Sequence, residues 1–426
     1  MSNAAMNQLL PCDAPAHGWY RFVLSFPPHL VREYLARFEL DATATVLDPF
    51  CGTGTTLVEA KKLGIPSVGA EALPIAHLAS RTKVDWRPDP DRLVTHAELV
   101  ADKALTTLEA DGITDAPMAE IPNEVCLRSL PQEQFHLLLK NSISSLPLHK
   151  TLVLLEAIDS EGDQLLASHE RLALASLLPS DIGNLRFGPE VGVGRIKPDA
   201  PVVSKWLNRM RRMADDLRRL TAMDQVSASV HHGDARRIEH HVNGKTVDAV
   251  ITSPPYPNEK DYTRTARLES VFLGYMGGRG DLQRSKKRLV RSNTRGVYKE
   301  DHDDRWIPTR SKIHEVADRI EARRIELSKN SGFERTYHRV TRLYFGGMAR
   351  HFASLSKVLR PGARLAYVVG DQASYLRVMI RTGRLLGEVA CELGYEVEGI
   401  DLFRTRMATA TNQHLREEVL LLRWPG

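Results

Sequence analysis

Val46-Leu-Asp-Pro-Phe-Cys-Gly-Thr-Gly-Thr-Thr56 is a short apolar strand ending on an acid, then a loop with glycines at 52 and 54, then an amphipathic run to Leu63. Its local reading is strand, tight loop, helix. After Gly64 comes Pro66-Ser-Val-Gly-Ala-Glu71, a second short strand closing on a carboxylate, so the unit is βαβ with a parallel crossover. The two glycines let the backbone turn sharply and approach a ligand, and Thr55 or Thr56 is placed to cap the following helix.

Outward from this unit the pattern recurs. Residues 226–230, apolar at alternate positions, precede Gly233-Asp234, and residues 247–252 run straight into Ser253-Pro-Pro-Tyr256. Further on, the periodicity predicts a helix near 339–359, a strand over 363–369, a helix near 377–393, and a closing hairpin from 396–402 and 417–422. Three parts follow: residues 1–85, with the first half of an α/β sheet; residues 86–225, a mainly helical insertion; and residues 226–426, the second half. The third part is interrupted by a basic excursion at about 275–335. Within the insertion, Val203, Trp206, Leu207, Met210, Met213, Leu217 and Leu220 recur at helical spacing and read as the core stripe of a helix.

The 426 residues suffice for a substantial core, 42% of them are hydrophobic, and no apolar run has the length of a membrane span. A soluble, cytoplasmic protein is expected. The first ten residues lack the features of a secretory leader, and Ser2-Asn3-Ala4 reads as a cloning remnant that puts the native start at Met6. Cys12, Cys51, Cys126 and Cys391 form no Cys-x-x-Cys pair, which argues against a disulfide framework and a structural zinc site. The net charge of +5 is concentrated: Arg279, Arg284, Lys286, Lys287, Arg288, Arg291 and Arg295 face one acid, Asp281. Adjacent histidines at 231/232 and 240/241 point to opposite strand faces and lack cysteine partners, so no metal is expected.

Two acids and one turn carry chemistry. Glu71, at the end of the second strand, can accept hydrogen bonds from both ribose hydroxyls of a nucleoside, and Asp234, after the third, is placed to hold an adenine amine. At the serine corner, the Ser253 hydroxyl and the Pro254 carbonyl are acceptors for the two hydrogens of an aromatic amine, whose lone pair is otherwise delocalised into its ring. Pro254 and Pro255 fix φ and remove two N–H donors, leaving a rim of carbonyls, and Tyr256 offers a flat face for an extruded base.

Asp48-Pro-Phe-Cys-Gly-Thr-Gly-Thr-Thr56 resembles the cofactor motif of the DNA amino-methyltransferases, and Ser253-Pro-Pro-Tyr256 resembles their catalytic motif. The resemblance covers most of residues 18–85 and 226–426, and more loosely takes in Trp19-Tyr-Arg-Phe22 and Phe26-Pro-Pro28, the segment that in this family closes over the cofactor's methionine part. It implies a Rossmann-like seven-stranded sheet. It implies S-adenosylmethionine held by Asp48, Pro49, Phe50, Cys51, Gly52, Gly54, Thr55, Thr56, Glu71, Asp234 and Ala235, and methyl transfer at Ser253, Pro254, Pro255 and Tyr256. In that family a leading serine usually accompanies N4-cytosine methylation, and aspartate or asparagine N6-adenine methylation, so direct transfer to N4 of a flipped cytosine in duplex DNA is expected.

One departure stands out. Many enzymes with the serine motif place it before the cofactor loop, and here it comes after. Arg264, Arg284, Lys286, Lys287, Arg288, Arg291 and Arg295, followed by Trp306, Arg310 and Lys312, fit phosphate contacts near the extruded base. Three rivals stay open: N6-adenine methylation, an RNA amine methyltransferase, and a nucleic-acid binder without turnover. A restriction or defence partner is possible, and the sequence names neither that partner nor the target site.

Overall fold

The computed structural model describes residues 9–21, 25–118, 125–188, 190–223, 226–258, 260–308, 311–407 and 414–426. Phe22 and Arg310, both singled out above, lie outside the described residues.

In chain order the strands are β1 (Val46–Asp48), β2 (Ser67–Glu71), β3 (Leu185–Arg186), β4 (Gly192–Val193), β5 (Ala228–His232), β6 (Val247–Thr252), β7 (Leu359–Gly370), β8 (Glu396–Met407) and β9 (His414–Arg423). Seven form one sheet in the order β5-β2-β1-β6-β7-β9-β8, and β3 and β4 pair separately. The pairs β5-β2, β2-β1, β1-β6 and β6-β7 are parallel, and β9 runs antiparallel to both neighbours. This is the expected seven-stranded Rossmann-like α/β sheet. The strand order turns back at β1, so the crevice beyond the carboxyl ends of β1 and β6 is where such sheets take ligands.

Burial on both faces explains the apolar strands. Val46, Ala249, Ile251, Ala366, Val368, Val419 and Leu421 pack with Leu30, Val31, Tyr34 and Leu35 of the helix Pro28–Arg37. Their strand neighbours Leu47, Val250, Leu365, Tyr367, Val369, Leu420 and Leu422 pack on the opposite face with the helices Tyr337–Leu355 and Thr382–Glu392. Period-two alternation thus separates the two cores.

The insertion builds a third core. Its helices Pro90–Ala110, Ser145–Glu161, Ala167–Leu177 and Val203–Leu220 share apolar contacts with Trp19, Leu57, Val58 and Leu78 and with Leu268, Val271 and Phe272. The stripe expected along residues 203–220 is core: Val203, Trp206, Met210, Met213, Leu217 and Leu220 are buried, with Leu207 partly so. Polar anchors fix the assembly. Trp19 Nε1 donates to Asp216 at 2.8 Å, Trp206 Nε1 to the Glu170 carbonyl at 3.0 Å, and Tyr20 Oη to Glu269 at 2.9 Å.

Several boundaries differ from expectation. The strand read over 226–230 is β5, two residues later, where parallel pairing with all five residues of β2 sets its register. The helix read from 377 begins at Thr382, because Leu376 and Arg377 have positive φ. The basic excursion is partly regular, with helices Arg279–Lys287 and Lys312–Glu326. No helix among the described residues is long and apolar enough to cross a membrane.

Candidate active site

The glycine loop and the serine corner meet. A cavity of about 680 Å³ is lined by Pro49, Phe50, Cys51, Gly52, Thr55, Glu71, Asp234 and Ala235, and also by Ser253, Pro254, Pro255 and Tyr256. Asp48, Gly54 and Thr56 lie behind this wall and support it. Thr252 Oγ1 donates to Asp48 Oδ1 at 2.6 Å, joining the ends of β6 and β1 directly, and Phe50 N reaches the same oxygen at 3.2 Å. Burial raises the Asp48 pKa to about 6, and among the described residues its Oδ2 has no hydrogen-bond partner.

Gly54 is the N-cap of the helix Thr55–Lys62 and has φ +86°. Neither threonine caps the helix as expected. Thr56 Oγ1 instead donates to the Ile251 carbonyl at 3.0 Å, because the close approach of β6 offers it a buried acceptor. Gly69 lets this helix sit on the sheet: a Cβ there would stand 2.6 Å from Leu57 Cδ1.

Glu71 closes β2 and lines the cavity, with both carboxylate oxygens engaged by backbone N–H groups. Its Oε2 accepts from Gly52 N at 2.9 Å and its Oε1 from Leu73 N at 2.8 Å. Burial still pushes its pKa up to about 7, and the backbone donors offset only part of that cost. Asp234 reaches the cavity too, but its carboxylate is already held by the guanidinium of Arg236, with Nε at 2.9 Å and Nη2 at 2.7 Å. Arg236 Nη2 also donates to the Lys287 carbonyl, and Nη1 pairs with Asp303, so this acid is tied to the basic excursion. Beneath Phe50 and Ala235 lies His351, held neutral by burial with its pKa near 4. Nδ1–H donates to the Ala235 carbonyl at 2.8 Å, and Nε2 accepts from Tyr367 Oη at 2.6 Å.

At the other corner, Ser253 Oγ donates its hydrogen to the Val368 carbonyl at 3.1 Å. The hydroxyl proton is thereby committed to β7, and the oxygen lone pairs are left as acceptors. The Tyr256 ring lies against Gly370 at the end of β7, where a Cβ would come within 3.0 Å of Cε2.

The basic residues fall into two sets. Lys287 and Arg288 are exposed, Arg288 lines the cavity mouth, and Arg284 is exposed and paired with Asp281. Arg295 and Arg264 both approach Glu190 at 3.9 Å. Two expectations are corrected. Arg291 is 4% exposed, forms two 2.7 Å bonds to Asp301 and donates to the Lys286 carbonyl, so it fastens the loop. Lys286 is mostly covered, bonded to Asp261 at 2.8 Å and to the Arg295 carbonyl at 3.0 Å. An acid within reach of each makes it structural. Asp261 also caps the short helix Tyr262–Thr265.

The paired histidines serve packing: His231 stacks on His241 at 5.8 Å, and His232 Nε2 donates to the Ala72 carbonyl at 3.1 Å. Among the described residues no group of three or more His, Cys, Asp or Glu could hold a metal ion. The sequence reading missed the cavity wall formed by Phe403, Arg404, Leu415 and Glu417 of the closing hairpin, and by Gln372 after β7. Both strands carry several other charges, among them Glu396, Glu398, Asp401, Arg416 and Glu418, so nothing in the sequence singled out 404 and 417.

The family model described as DNA methylase, for N6 and N4 enzymes, matches residues 15–77. The type II methyltransferase M.BsoBI of Geobacillus stearothermophilus is 25% identical over 93% of this chain and 82% of its own length. The type II methyltransferase M.AvaI of a Nostoc strain is 25% identical over 94% of this chain and 83% of its own. Among solved structures, TrmN from Thermus thermophilus aligns with 93% of this chain and 48% of its own at 10% identity, with a TM-score of 0.30, too remote to carry an argument. The resemblance read from the two motifs is borne out: a DNA methylase family model and two type II methyltransferases match this chain.

Proposed function

We propose that this protein transfers a methyl group from S-adenosylmethionine to the exocyclic N4 of a cytosine flipped out of duplex DNA. The observation that carries the reading is the single cavity walled at one end by Gly52, Glu71 and Asp234 and at the other by Ser253, Pro254 and Tyr256. The DNA methylase description of the matching family model supports the DNA substrate, and the type II designation of the two relatives supports a restriction partner.

The cavity residues fit the cofactor. Gly52 faces open space, with nothing within 4 Å of a would-be Cβ, so a ligand can lie directly on its backbone. Glu71 has lone pairs beyond its two backbone donors for the ribose hydroxyls, and Asp234 and Ala235 border the place for the adenine. Phe26 and Pro27 line the same cavity and would cover the methionine part. When bound, S-adenosylmethionine supplies an electrophilic methyl group on a sulfonium.

The chain's own contribution is to prepare the amine. Because the Ser253 hydrogen is occupied by Val368, Ser253 Oγ accepts one amine hydrogen, and the Pro254 carbonyl accepts the other. Holding both hydrogens out of the ring plane favours a pyramidal nitrogen with its lone pair turned towards the methyl group. Tyr256, backed by Gly370, gives the extruded base a stacking face. Arg288, exposed and on the cavity lining, and its exposed chain neighbour Lys287 are placed for phosphate contacts.

The test is to incubate the protein with unmethylated genomic DNA and labelled S-adenosylmethionine, digest to nucleosides and identify the product by mass spectrometry. N4-methylcytosine is expected. N6-methyladenine, preferential labelling of RNA, or binding without incorporation would each replace this reading by one of its rivals.

A further inference from the structure

The N4-cytosine reading leaves one requirement unmet by the two motifs: something must recognise the rest of the base. On its Watson–Crick edge cytosine carries, beside the amine, two adjacent acceptors, N3 and O2, whereas adenine carries one acceptor and a C–H. A pocket selective for cytosine needs two parallel donors beside the amine site.

The closing hairpin supplies such a pair. Gly370, against which the Tyr256 ring rests, is in register with Glu417 of β9, which is in register with Arg404 of β8. Strand spacing puts these two residues roughly 5 and 10 Å beyond Gly370. Both line the cavity that holds Ser253 and Tyr256. Arg404 Nε donates to Glu417, which fixes the plane of the guanidinium, and the side chain is 17% exposed. Among the described residues, no acceptor contacts its terminal nitrogens Nη1 and Nη2. A planar cation held through Nε, with terminal N–H groups unspent at the wall of a base-sized cavity, suits a pair of neighbouring acceptors.

We propose that Arg404, oriented by Glu417, is the specificity-determining residue that reads N3 and O2 of the flipped cytosine and disfavours adenine. This rests on the N4-cytosine reading. It predicts an energetic link between one side chain and one base atom, which a purely structural Arg404–Glu417 pair would not produce.

The experiment is a double-substitution cycle. Single-turnover methylation by wild type and by Arg404→Gln is compared on duplexes carrying, at the methylated position mapped from genomic DNA, either cytosine or 3-deazacytosine, which lacks the N3 acceptor. S-adenosylhomocysteine affinity is measured for each protein to report folding and an intact cofactor corner. Wild type should lose roughly 10- to 100-fold on the 3-deaza duplex. Arg404→Gln should be slowed by a comparable factor on cytosine and then be nearly indifferent to the same base change, with Arg404→Lys between them. Equal losses for wild type and variant, with N4-methylcytosine still the product, would overturn the role of Arg404 and leave the cytosine reading standing. N6-methyladenine from the wild type would overturn the reading itself, and S-adenosylhomocysteine affinity lost in both variants would make Arg404 a cofactor or folding residue.

Discussion

The glycine bend after β1 and the proline corner after β6 occupy equivalent places, each following a buried parallel strand and each opening on the same cavity. They solve opposite problems. The bend uses positive-φ backbone at Gly52 and Gly54 to bring main chain up to a ligand, with an N–H anchored on Glu71. The corner uses prolines that donate nothing and a serine whose hydrogen is engaged by Val368, so that only acceptors remain. On the proposed function, one end of the sheet thus has a cofactor-holding half and an amine-holding half, and each half can be damaged separately.

The sharpest separation comes from Ser253→Ala. It should raise the barrier to transfer by roughly 2 to 4 kcal/mol, because the oriented acceptor is lost, while S-adenosylhomocysteine affinity holds. Rapid-quench methylation alongside calorimetric titration checks this; a wild-type rate would dissolve the division between the halves. Next in size is Gly54→Ala. At φ +86°, with Cβ meeting Ser80 at 3.1 Å, it should cost about 2 kcal/mol of stability, visible as a lowered Tm. Gly52→Ala, at φ +52° with nothing nearby, should cost about 1 kcal/mol and chiefly weaken cofactor binding.

A smaller effect follows from Glu71. Burial raises its carboxyl to about 7, so in the free protein it is largely protonated on the acid side of neutrality, and a neutral carboxyl has one fewer acceptor for the ribose. Binding that favours the ionised form releases a proton, so S-adenosylhomocysteine affinity should rise by up to roughly tenfold between about pH 6 and about pH 8. Glu71→Gln should bind more weakly and flatten that rise. The same raised pKa acts oppositely on folding. The proton kept by Glu71 stabilises the free fold at acid pH, and that contribution disappears as pH climbs through about 7.

The smallest effect concerns the basic segment. Lys287→Gln and Arg288→Gln should each reduce the salt dependence of DNA binding by up to about one in log–log slope. Arg291→Gln, which strips Asp301 of its guanidinium partner, should lower Tm and leave that slope alone. An equal change of slope from all three would mean that burial does not distinguish them.

The sequence made the sheet legible because burial on two faces forces apolar strands, and the acids at 48, 71 and 234 mark where those strands end. The two corners were legible because glycine and proline state their backbone demands locally. Charge was harder. Residues 279–295 read as one basic run, yet Arg291 and Lys286 are consumed by Asp301 and Asp261, and only the fold brings those acids within reach. The hairpin wall was missed for the same reason: strand register brings Arg404 and Glu417 to the cavity that Tyr256 also lines.

The third core has a practical consequence for engineering. Since the long helical excursion packs on Trp19 and on Leu268, Val271 and Phe272, it is not a cassette that can be lifted out at residues 86 and 225. Chimeras designed to transplant sequence preference from a relative would have to exchange three separated stretches together: the tryptophan anchor, the excursion, and the helix that follows the serine corner. Swapping the excursion alone would leave Trp19 without Asp216 and several apolar side chains facing water.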